Sequence, residues 1–369
     1  MQTYKFRLYP TKAQETVFES WLEECRMLYN HFLNQRKEGW EKNKESFSLY
    51  GQQSFLPELK IKFPKLKTVY SQVLQNVAVR VDLAFQDFFR RVKNGGKPGH
   101  PRFKKYGRYD SFCYPDSQDV KISENTIHFP KIGKVHWIQH RNIIGSIKTT
   151  TIKRHLGKWY AFLVTDNINK KEYPKTDKTV GIDVGVMTFA TLSDGSNVEN
   201  PRFFEKKQKD LAKVQRRFQK ARDSKNERKI KKTKRVIQKV HEKIYNCRHD
   251  FLHKTTNSLV QKYDVIAIED LNINSLLRKK WCNKQILDAA WGNFILTLSI
   301  KAECAGKKIV KVNPAYSSQV CHKCDTRTAH VLSERTFKCG CCGYTGGRDE
   351  NASKNILRLG LQSLAAQAA

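Results

Sequence analysis

Two pairs of cysteines near the C-terminus constrain the fold of this 369-residue chain more than any other feature. CHKC begins at Cys321 and CGCC begins at Cys339, and 14 residues separate the two pairs. Two CxxC turns at this spacing are typical of a structural zinc ribbon, because each turn supplies two thiolates to one tetrahedral ion. A redox dithiol would need only one pair, at a helix start. The expected ligands of one structural Zn²⁺ are Cys321, Cys324, Cys339 and Cys342, with Cys341 as a less suitable rival.

The net charge of the chain points to a polyanionic partner. Lys and Arg number 69 against 35 Asp and Glu, which gives a formal net charge of +34. The basic residues are spread over nearly the whole length, and such an excess opposes compaction unless an anion neutralises it. Nucleic acid is the natural counter-ion, although a ribosomal-type binder or a merely soluble basic surface would carry the same charge.

The sequence lacks the usual signals for membranes and secretion. It has no apolar run near 18 residues, and its first residues, MQTYKFRLYPTKAQ, lack the apolar core of a signal peptide. The cysteines outside the two pairs are scattered, unlike a secreted disulfide framework. We therefore expect a cytoplasmic protein of prokaryotic type with no membrane partner.

The first half of the chain predicts a small β-barrel or sandwich with a helical insertion. Residues 2–9 alternate apolar and polar side chains, as a half-buried strand does, and residues 111–167 contain several short alternating runs. The first strand should join this later sheet, because it has no other partner. Residues 11–105 would then be inserted into the β-domain.

The predicted insertion contains two main helices. Thr11 and Gln14 have the spacing of a capping box at the start of the first helix. A second helical stretch covers about 71–93, and the Gly/Pro-rich, basic residues 95–105 follow it. We expect this last segment to be a loop against phosphate.

The second half predicts an α/β unit. Residues 263–270, YDVIAIED, are nearly all apolar, which is typical of a strand buried on both faces of a parallel sheet. Two strands are expected within 179–200, and a charged helical hairpin within 203–262, broken near Asp223–Lys225. A helix over 286–305 and a strand over 307–314 complete the pattern.

Three acids occupy the ends of these predicted elements. Asp183 lies in GIDVG, Glu269 ends the buried strand, and Asp349 begins a short C-terminal helix. Converging carboxylates repel each other unless cations lie between them, and oxygen ligands select Mg²⁺ or Mn²⁺. Two such ions can serve phosphodiester hydrolysis. Taken singly, each acid has an ordinary alternative role as a turn residue or helix N-cap.

The neighbours of these acids carry further expectations. The glycines beside Asp183, Gly181 and Gly185, would leave room for a phosphate backbone to come close. Asp270 follows Glu269 directly, so its side chain should point to the opposite side of the strand.

These residues resemble the TnpB family of transposon-encoded RNA-guided nucleases, which is regarded as ancestral to type V CRISPR effectors. The segments that carry the resemblance run nearly end to end and are YKFRLYPTKAQ, RMLYNHFL, LQNVAVRVDLAFQDFFRRVK, GHPRFKK, VGIDVGV, RHDFLHKTTNSLV, IAIEDLNINSL, AWGNFILTL, AYSSQVCHKC and FKCGCCGYTGGRDENASKNI. One departure is Gly347, where many members have an acid before the catalytic Asp349.

The resemblance implies a multidomain α+β fold: an N-terminal β-barrel, called the wedge, with a helical recognition insertion, then an α/β RNase H-like (RuvC-like) domain with an inserted zinc ribbon. The implied domains are a wedge (1–10 and 106–172), a recognition insertion (11–105), a nuclease (173–314 and 346–369) and a zinc ribbon (315–345).

The resemblance also implies the activity. Family members bind a guide RNA from the transposon end, recognise a short target-adjacent motif in double-stranded DNA and cut both strands, as a monomer with one RNA. Catalysis with Mg²⁺ or Mn²⁺ would fall to Asp183, Glu269 and Asp349. The positions that correspond to motif-contacting residues are Tyr50, Ser71 and Gln75.

Three other functions compete with a guided nuclease. An RNA-guided repressor with a dead nuclease would not need all three acids. A transposase acting on transposon ends could use the same acids, but it would not account for the zinc ribbon between the second and third. A guide-free junction resolvase should be a dimer and has no evident need for the barrel and its helical insertion.

Overall fold

The computed structural model describes residues 1–167, 173–278, 282–328 and 334–368, and it has mixed α and β structure. The chain divides into two compact units, residues 1–169 and 170–369. No helix in the described ranges combines the length and the apolar character that a membrane span needs.

The first unit consists of one N-terminal strand, a helical segment and six further strands. In chain order these are β1 (Gln2–Tyr9), α1 (Lys12–Asn43), α2 (Leu49–Ser54), α3 (Leu56–Lys62), the 3-10 helix η1 (Pro64–Thr68), α4 (Ser71–Lys93), β2 (Ser111–Tyr114), β3 (Lys121–Ile122), β4 (Thr126–Phe129), β5 (Gly133–Ile138), β6 (Ile147–His155) and β7 (Lys158–Thr165).

The seven strands form one antiparallel sheet in the order β2-β6-β7-β1-β5-β4-β3. Strand β1 lies in the middle, where Phe6 pairs with Ala161 on β7 and Leu8 pairs with Trp137 on β5. The prediction that residues 2–9 join the later strands is therefore confirmed. Closure of this sheet into a barrel stays a prediction.

Helix α1 begins as its sequence predicts. The Thr11 hydroxyl accepts a hydrogen bond from the Gln14 backbone amide at 3.3 Å, and the Gln14 side chain accepts one from the Thr11 amide at 3.1 Å. The apolar face of α1 buries Phe18 and Trp21 against the sheet, and Phe18 meets the Trp159 ring edge-on at 4.8 Å. Burying a large apolar side chain contributes about 1.5–3 kcal/mol relative to leaving it exposed.

The segment between the two long helices is more ordered than the sequence indicates. Its sequence is polar and aromatic and ends in FPKLK, and α2, α3 and η1 occupy it. Leu56, Leu59 and Leu66 are buried in the same core as α1 and α4, and this burial explains why short helices persist in a polar sequence.

The second unit contains a sheet, six helices in the described ranges and a small hairpin. In chain order its elements are β8 (Thr179–Val184), β9 (Thr188–Leu192), β10 (Asn197–Glu199), α5 (Phe203–Asp223), α6 (Glu227–Lys262), β11 (Val265–Glu269), α7 (Ile273–Arg278), α8 (Asn283–Ala289), α9 (Trp291–Cys304), β12 (Lys308–Val312), β13 (Thr336–Lys338), β14 (Thr345–Gly347) and α10 (Arg348–Ala368).

The main sheet of this unit has the order β10-β9-β8-β11-β12. Strand β9 pairs antiparallel with β8 and with β10, whereas β8, β11 and β12 are parallel. The predicted apolar strand is β11, and it is covered on both faces. Ile266 and Ile268 lie in a core with α6 and α9, while Ala267 packs on the other face with Ile356 of α10.

Three helix predictions can be compared with the structure. The charged stretch breaks between α5 and α6, near the predicted residues. The single helix expected over 286–305 is wrong, because Ala290 has a positive φ of 55° that separates α8 from α9. The C-terminal helix is not short: α10 has 21 residues, because Leu359 and Leu364 continue its packing on the sheet.

Candidate active site

The sheet of the second unit brings two of the predicted acids side by side. Asp183 is the next-to-last residue of β8, and Glu269 is the last residue of β11. The two strands are parallel, and Ile182 pairs with Ile268, so the two acids follow next in register. Neighbouring residues at the same register of parallel strands point to the same face.

The third acid comes from a helix that crosses the same strands. Asp349 is the second residue of α10, which packs against β8, β9, β11 and β12. Its side chain is 29% exposed and forms ion pairs with Arg348 at 3.4 Å and Arg335 at 3.6 Å. All three predicted acids therefore lie at one edge of one sheet.

The electrostatics of this edge reflect crowded carboxylates. Burial, together with the negative charges of Glu269 and Asp349, raises the pKa of Asp183 well above its usual range, and Arg348 opposes this shift. Burial also raises the pKa of Glu269, while a hydrogen bond from Ser317 opposes it. A divalent cation would offset this repulsion, and the purely oxygen donor set suits Mg²⁺ or Mn²⁺.

The glycine interpretation was wrong at Gly181. A Cβ at this position would lie 2.6 Å from the backbone nitrogen of Leu357 and closer still to the carbonyl oxygen of Ser353, both on α10. The missing side chain therefore admits a helix, not a phosphate backbone. At Gly185, the nearest atom to a Cβ would be the Thr188 carbonyl oxygen at 2.9 Å, within the β8–β9 turn.

Asp270 lies away from the three acids. Its carboxylate is 65% exposed and forms an ion pair with Lys311 of the neighbouring strand at 3.3 Å. The expectation that it points to the opposite side from Glu269 is confirmed.

Sequence reasoning missed one residue at this edge. The Ser317 hydroxyl donates a hydrogen bond to Glu269 Oε1 at 2.5 Å, and both residues are buried. Ser317 follows β12 in the segment that leads to Cys321. Its only sequence signal was a polar residue a few positions after a predicted strand, and this pattern is too common to identify it.

The four predicted cysteine ligands form one cluster. Their sulfur atoms all lie within 4.8 Å of one another. The Sγ atoms of Cys321 and Cys342 are 3.6 Å apart, and those of Cys324 and Cys339 are 3.5 Å apart. Cys341 is exposed and does not belong to the cluster formed by the described residues. This arrangement is compatible with a structural zinc ion.

Hydrogen bonds at the cluster shift two of the four cysteines towards the thiolate form. Hydrogen bonds with Thr326 lower the pKa of Cys324 to about 6, and the backbone amide of Cys342 lowers the pKa of Cys339. The Tyr344 amide favours the Cys342 thiolate, but the bond to Cys324 helps to raise the pKa of Cys342 to about 12. Thiolates are the form that binds metal.

The three residues expected to read a DNA motif lie in the first unit. Tyr50 is on α2 and is 79% exposed. Ser71 and Gln75 lie one turn apart on α4. The Ser71 hydroxyl accepts a hydrogen bond from Lys60 at 2.9 Å, and the Gln75 carbonyl accepts one from the Gln53 side chain of α2 at 3.2 Å. Their role stays a prediction.

Three protein families match parts of the chain. The family described as "Probable transposase" (OrfB_IS605) matches residues 162–280, and "Cas12f1-like, TNB domain" matches residues 291–356. "Helix-turn-helix domain" matches residues 1–45, where the structure has β1 and α1.

A bacterial relative matches the chain over almost its whole length. "Putative RNA-guided DNA endonuclease InsQ" of Escherichia coli (strain K12) is 33% identical over 383 residues, covering 99% of this chain and 94% of that protein. The chain belongs to the TnpB family. "TnpB-like protein L79" of Acanthamoeba polyphaga mimivirus is 22% identical, and the alignment covers 97% of this TnpB-family chain and 73% of the viral protein.

Solved structures also align with this TnpB-family chain. The mini-RNA-guided endonuclease CRISPR-Cas_phi3 aligns with a TM-score of 0.48 and 11% identity, over 98% of this chain and 92% of that one.

Proposed function

We propose that this protein is an RNA-guided DNA endonuclease that cleaves both strands of a DNA target at Asp183, Glu269 and Asp349. The observation that carries the proposal is the convergence of the three acids at one sheet edge, where two of them contribute to the raised pKa of the third. The name of the Escherichia coli relative, which is 33% identical, supports the guided activity.

The finer fold assignment supports the same proposal. In chain order, the central sheet has three strands joined by antiparallel pairs (β8, β9 and β10) and then two strands parallel to β8 (β11 and β12). Acids lie on β8 and β11, the first and fourth of these strands. This is the arrangement expected of an RNase H-like, RuvC-type nuclease. We assign residues 173–314 and 346–369 to this nuclease, residues 315–345 to the zinc ribbon, residues 1–10 and 106–172 to the wedge, and residues 11–105 to the recognition insertion.

The acid centre would hold Mg²⁺ or Mn²⁺ through Asp183, Glu269 and Asp349. When bound, two such ions activate a water and stabilise the leaving oxygen of a phosphodiester. One Zn²⁺ would be held by the Cys₄ cluster, and four protein ligands leave no open position there for catalysis.

The side chains of the protein have their own tasks in this scheme. The parallel strands fix Asp183 and Glu269 in register, and the first turn of α10 presents Asp349 to the same space. Arg335 and Arg348 form ion pairs with the Asp349 carboxylate, and the Arg348 charge also favours the ionised form of Asp183. A preformed constellation of this kind lowers the reorganisation needed when the substrate arrives.

The basic character of the chain supports nucleic-acid partners. Exposed Lys and Arg side chains follow both helices of the α5–α6 hairpin, which suits the phosphates of a guide RNA and its paired DNA target. We propose that Tyr50, Ser71 and Gln75 contact the target-adjacent motif. We further propose that one monomer binds one RNA.

The proposal is tested by purifying the protein from cells that carry its native flanking DNA and sequencing any RNA that co-purifies. DNA that matches the guide portion of this RNA should be cut in Mg²⁺, and mismatched DNA should not. Glu269→Ala should keep RNA and target binding and lose cleavage, whereas the adjacent change Asp270→Asn should keep both. Absence of bound RNA together with absence of guide-dependent cutting would refute the proposal.

The description "Probable transposase" of the family that matches residues 162–280 favours one alternative, a transposase. A transposase would join the cut transposon ends to new DNA. Strand-transfer products from a transposon-end substrate, formed without guide RNA, would support this function instead.

A further inference from the structure

A buried hydrogen bond links the acid centre to the segment that carries the cysteine cluster. Ser317 Oγ donates to Glu269 Oε1 at 2.5 Å, and Ser317 and Glu269 are only 7% and 8% exposed. In the described ranges, Ser317 is the only hydrogen-bond donor to this carboxylate. A carboxylate has two oxygens with about four acceptor sites. One donor on Oε1 fixes the rotation of the group and leaves Oε2 for a cation.

Ser317 is itself held by the helix that presents the third acid. The Asn355 side chain of α10 donates to the carbonyl oxygens of Ser317 at 2.9 Å and of Val320 at 2.6 Å. One turn earlier, Asn351 donates to the Val320 carbonyl at 2.7 Å and accepts from the His322 amide at 3.0 Å. The two amides therefore tie α10 to the backbone on both sides of the first zinc-binding cysteine.

The burial of these polar groups is informative. Asn351 and Asn355 are 0% and 1% exposed, on a helix whose apolar side chains, such as Ile356, pack against the sheet. A buried amide is costly unless it is hydrogen-bonded, and apolar residues would give the same packing with less need for exact geometry. The bonds connect the segment of the cysteine cluster, the helix of Asp349 and the carboxylate of Glu269 in one network.

We propose that Ser317 is a positioning residue for Glu269: it orients the carboxylate for a divalent cation, and Asn355 holds it in place. This inference rests on the proposed acid centre and extends it. The zinc-ribbon segment is then part of the nuclease site, because it supplies a side chain that sets the affinity of Glu269 for the cation.

The test measures metal binding as well as cleavage, on the full chain with its co-purified RNA. Mn²⁺ binding is followed by electron paramagnetic resonance, and the Glu269→Ala variant supplies the background from ions on RNA. The variants are Ser317→Ala, Ser317→Thr and Ser353→Ala. Ser353 is the matched control, because it is also fully buried and its hydroxyl donates to the Glu350 carbonyl within α10.

The Ser317→Ala variant should bind Mn²⁺ about tenfold more weakly than the wild type, because it loses a hydrogen bond to a charged group. The Mg²⁺ concentration for half-maximal cleavage should rise by the same factor. Ser317→Thr, which keeps the hydroxyl, should restore both values, and Ser353→Ala should match the wild type. Zinc content should stay at one ion per chain in every variant.

Asn355→Ala provides an independent variant, because it leaves the Ser317 side chain intact and frees its backbone. Asn355→Ala should also weaken Mn²⁺ binding, as Ser317→Ala does. If Ser317→Ala is too unstable to purify, Asn355→Ala and Ser317→Thr still decide the question.

The outcomes separate this inference from the proposed function. If the wild type cuts guided DNA, but Ser317→Ala binds Mn²⁺ and cuts like Ser353→Ala, the inference fails and the function stands. If the wild type cuts nothing, yet Ser317→Ala weakens a Glu269-dependent Mn²⁺ site, the function fails and the inference stands. If no Mn²⁺ depends on Glu269, both are overturned.

Discussion

Replacing Gly181 with alanine tests how closely strand β8 and helix α10 must approach. The new Cβ would lie 2.6 Å from the Leu357 backbone nitrogen, 2.9 Å from the Leu357 Cβ, and still nearer the Ser353 carbonyl oxygen, whereas ordinary contact begins at 3.4 Å. The nearest atoms are backbone atoms of a helix, so no side chain can rotate away. The helix and strand must separate by about 1 Å, a strain of the kind that costs about 1–3 kcal/mol.

We expect Gly181→Ala to lower the free energy of unfolding by about 3 kcal/mol, the upper end of this range, because the clash involves backbone atoms. For a unit of this size, such a loss lowers the midpoint of thermal unfolding by about 6–12 °C. Asp349 lies on the displaced helix, one turn before Ser353, so it also moves relative to Asp183. A misplacement of about 1 Å at a reacting centre can lower the rate about 100-fold.

The assay combines thermal unfolding with guided cleavage, measured well below the unfolding temperature of every variant. Gly292→Ala is the matched control, because a Cβ there would lie 3.8 Å from Ile273 on an open part of helix α9. Gly292 is the second residue of α9, so alanine there should leave the free energy of unfolding unchanged or raise it by at most about 0.5–1 kcal/mol. Equal unfolding temperatures and equal cleavage rates for Gly181→Ala and Gly292→Ala would contradict the close approach of β8 and α10.

Three further predictions concern charges and metals. Hydrogen bonding from Lys307 holds the pKa of Asp264 at about 2, below its unfolded value, so this bond stabilises at neutral pH and weakens as the pH falls through about 4 towards 2. The thermal deficit of Asp264→Asn should therefore shrink between pH 7 and pH 3, and a constant deficit would contradict this. Cys324→Ser should reduce bound zinc from one ion per chain towards none and lower cleavage, whereas Cys341→Ser should retain the ion; equal zinc content in both would refute the ligand set. Asp270→Asn should cut at the wild-type rate with unchanged Mg²⁺ dependence, and a large loss would place Asp270 in the site.

The cysteine cluster and the placement of Glu269 at a strand end could be predicted because their signals are local. The spacing of the cysteines determines which four can meet, and the apolar run before Glu269 predicts a buried parallel strand that ends at an acid. The pairing of residues 2–9 followed from the lack of any other partner. The first two inferences need only a pattern within a short window, whereas the third compares the strand with the rest of the chain.

The errors and omissions concern contacts between distant residues. Gly181 meets a helix more than 170 residues later in the chain. Ser317 and Glu269 are 48 residues apart, and Asn355 reaches back 38 residues to Ser317. Serines and asparagines are frequent in turns and caps, so nothing in a short window distinguishes a residue that orients a buried carboxylate. The positive φ of Ala290 likewise has no local signal, because alanine is the strongest helix former and the sequence has no helix-breaking residue at this position.

The most direct test of the account is cleavage of guide-matched and mismatched DNA by the purified RNA complex, titrated with Mg²⁺, for the wild type and for Asp349→Ala. The account predicts that only the wild type cuts, only on matched DNA and only with the metal, while Asp349→Ala still binds matched DNA with wild-type affinity. Cleavage by Asp349→Ala at the wild-type rate, or equal cleavage of mismatched DNA, would contradict it.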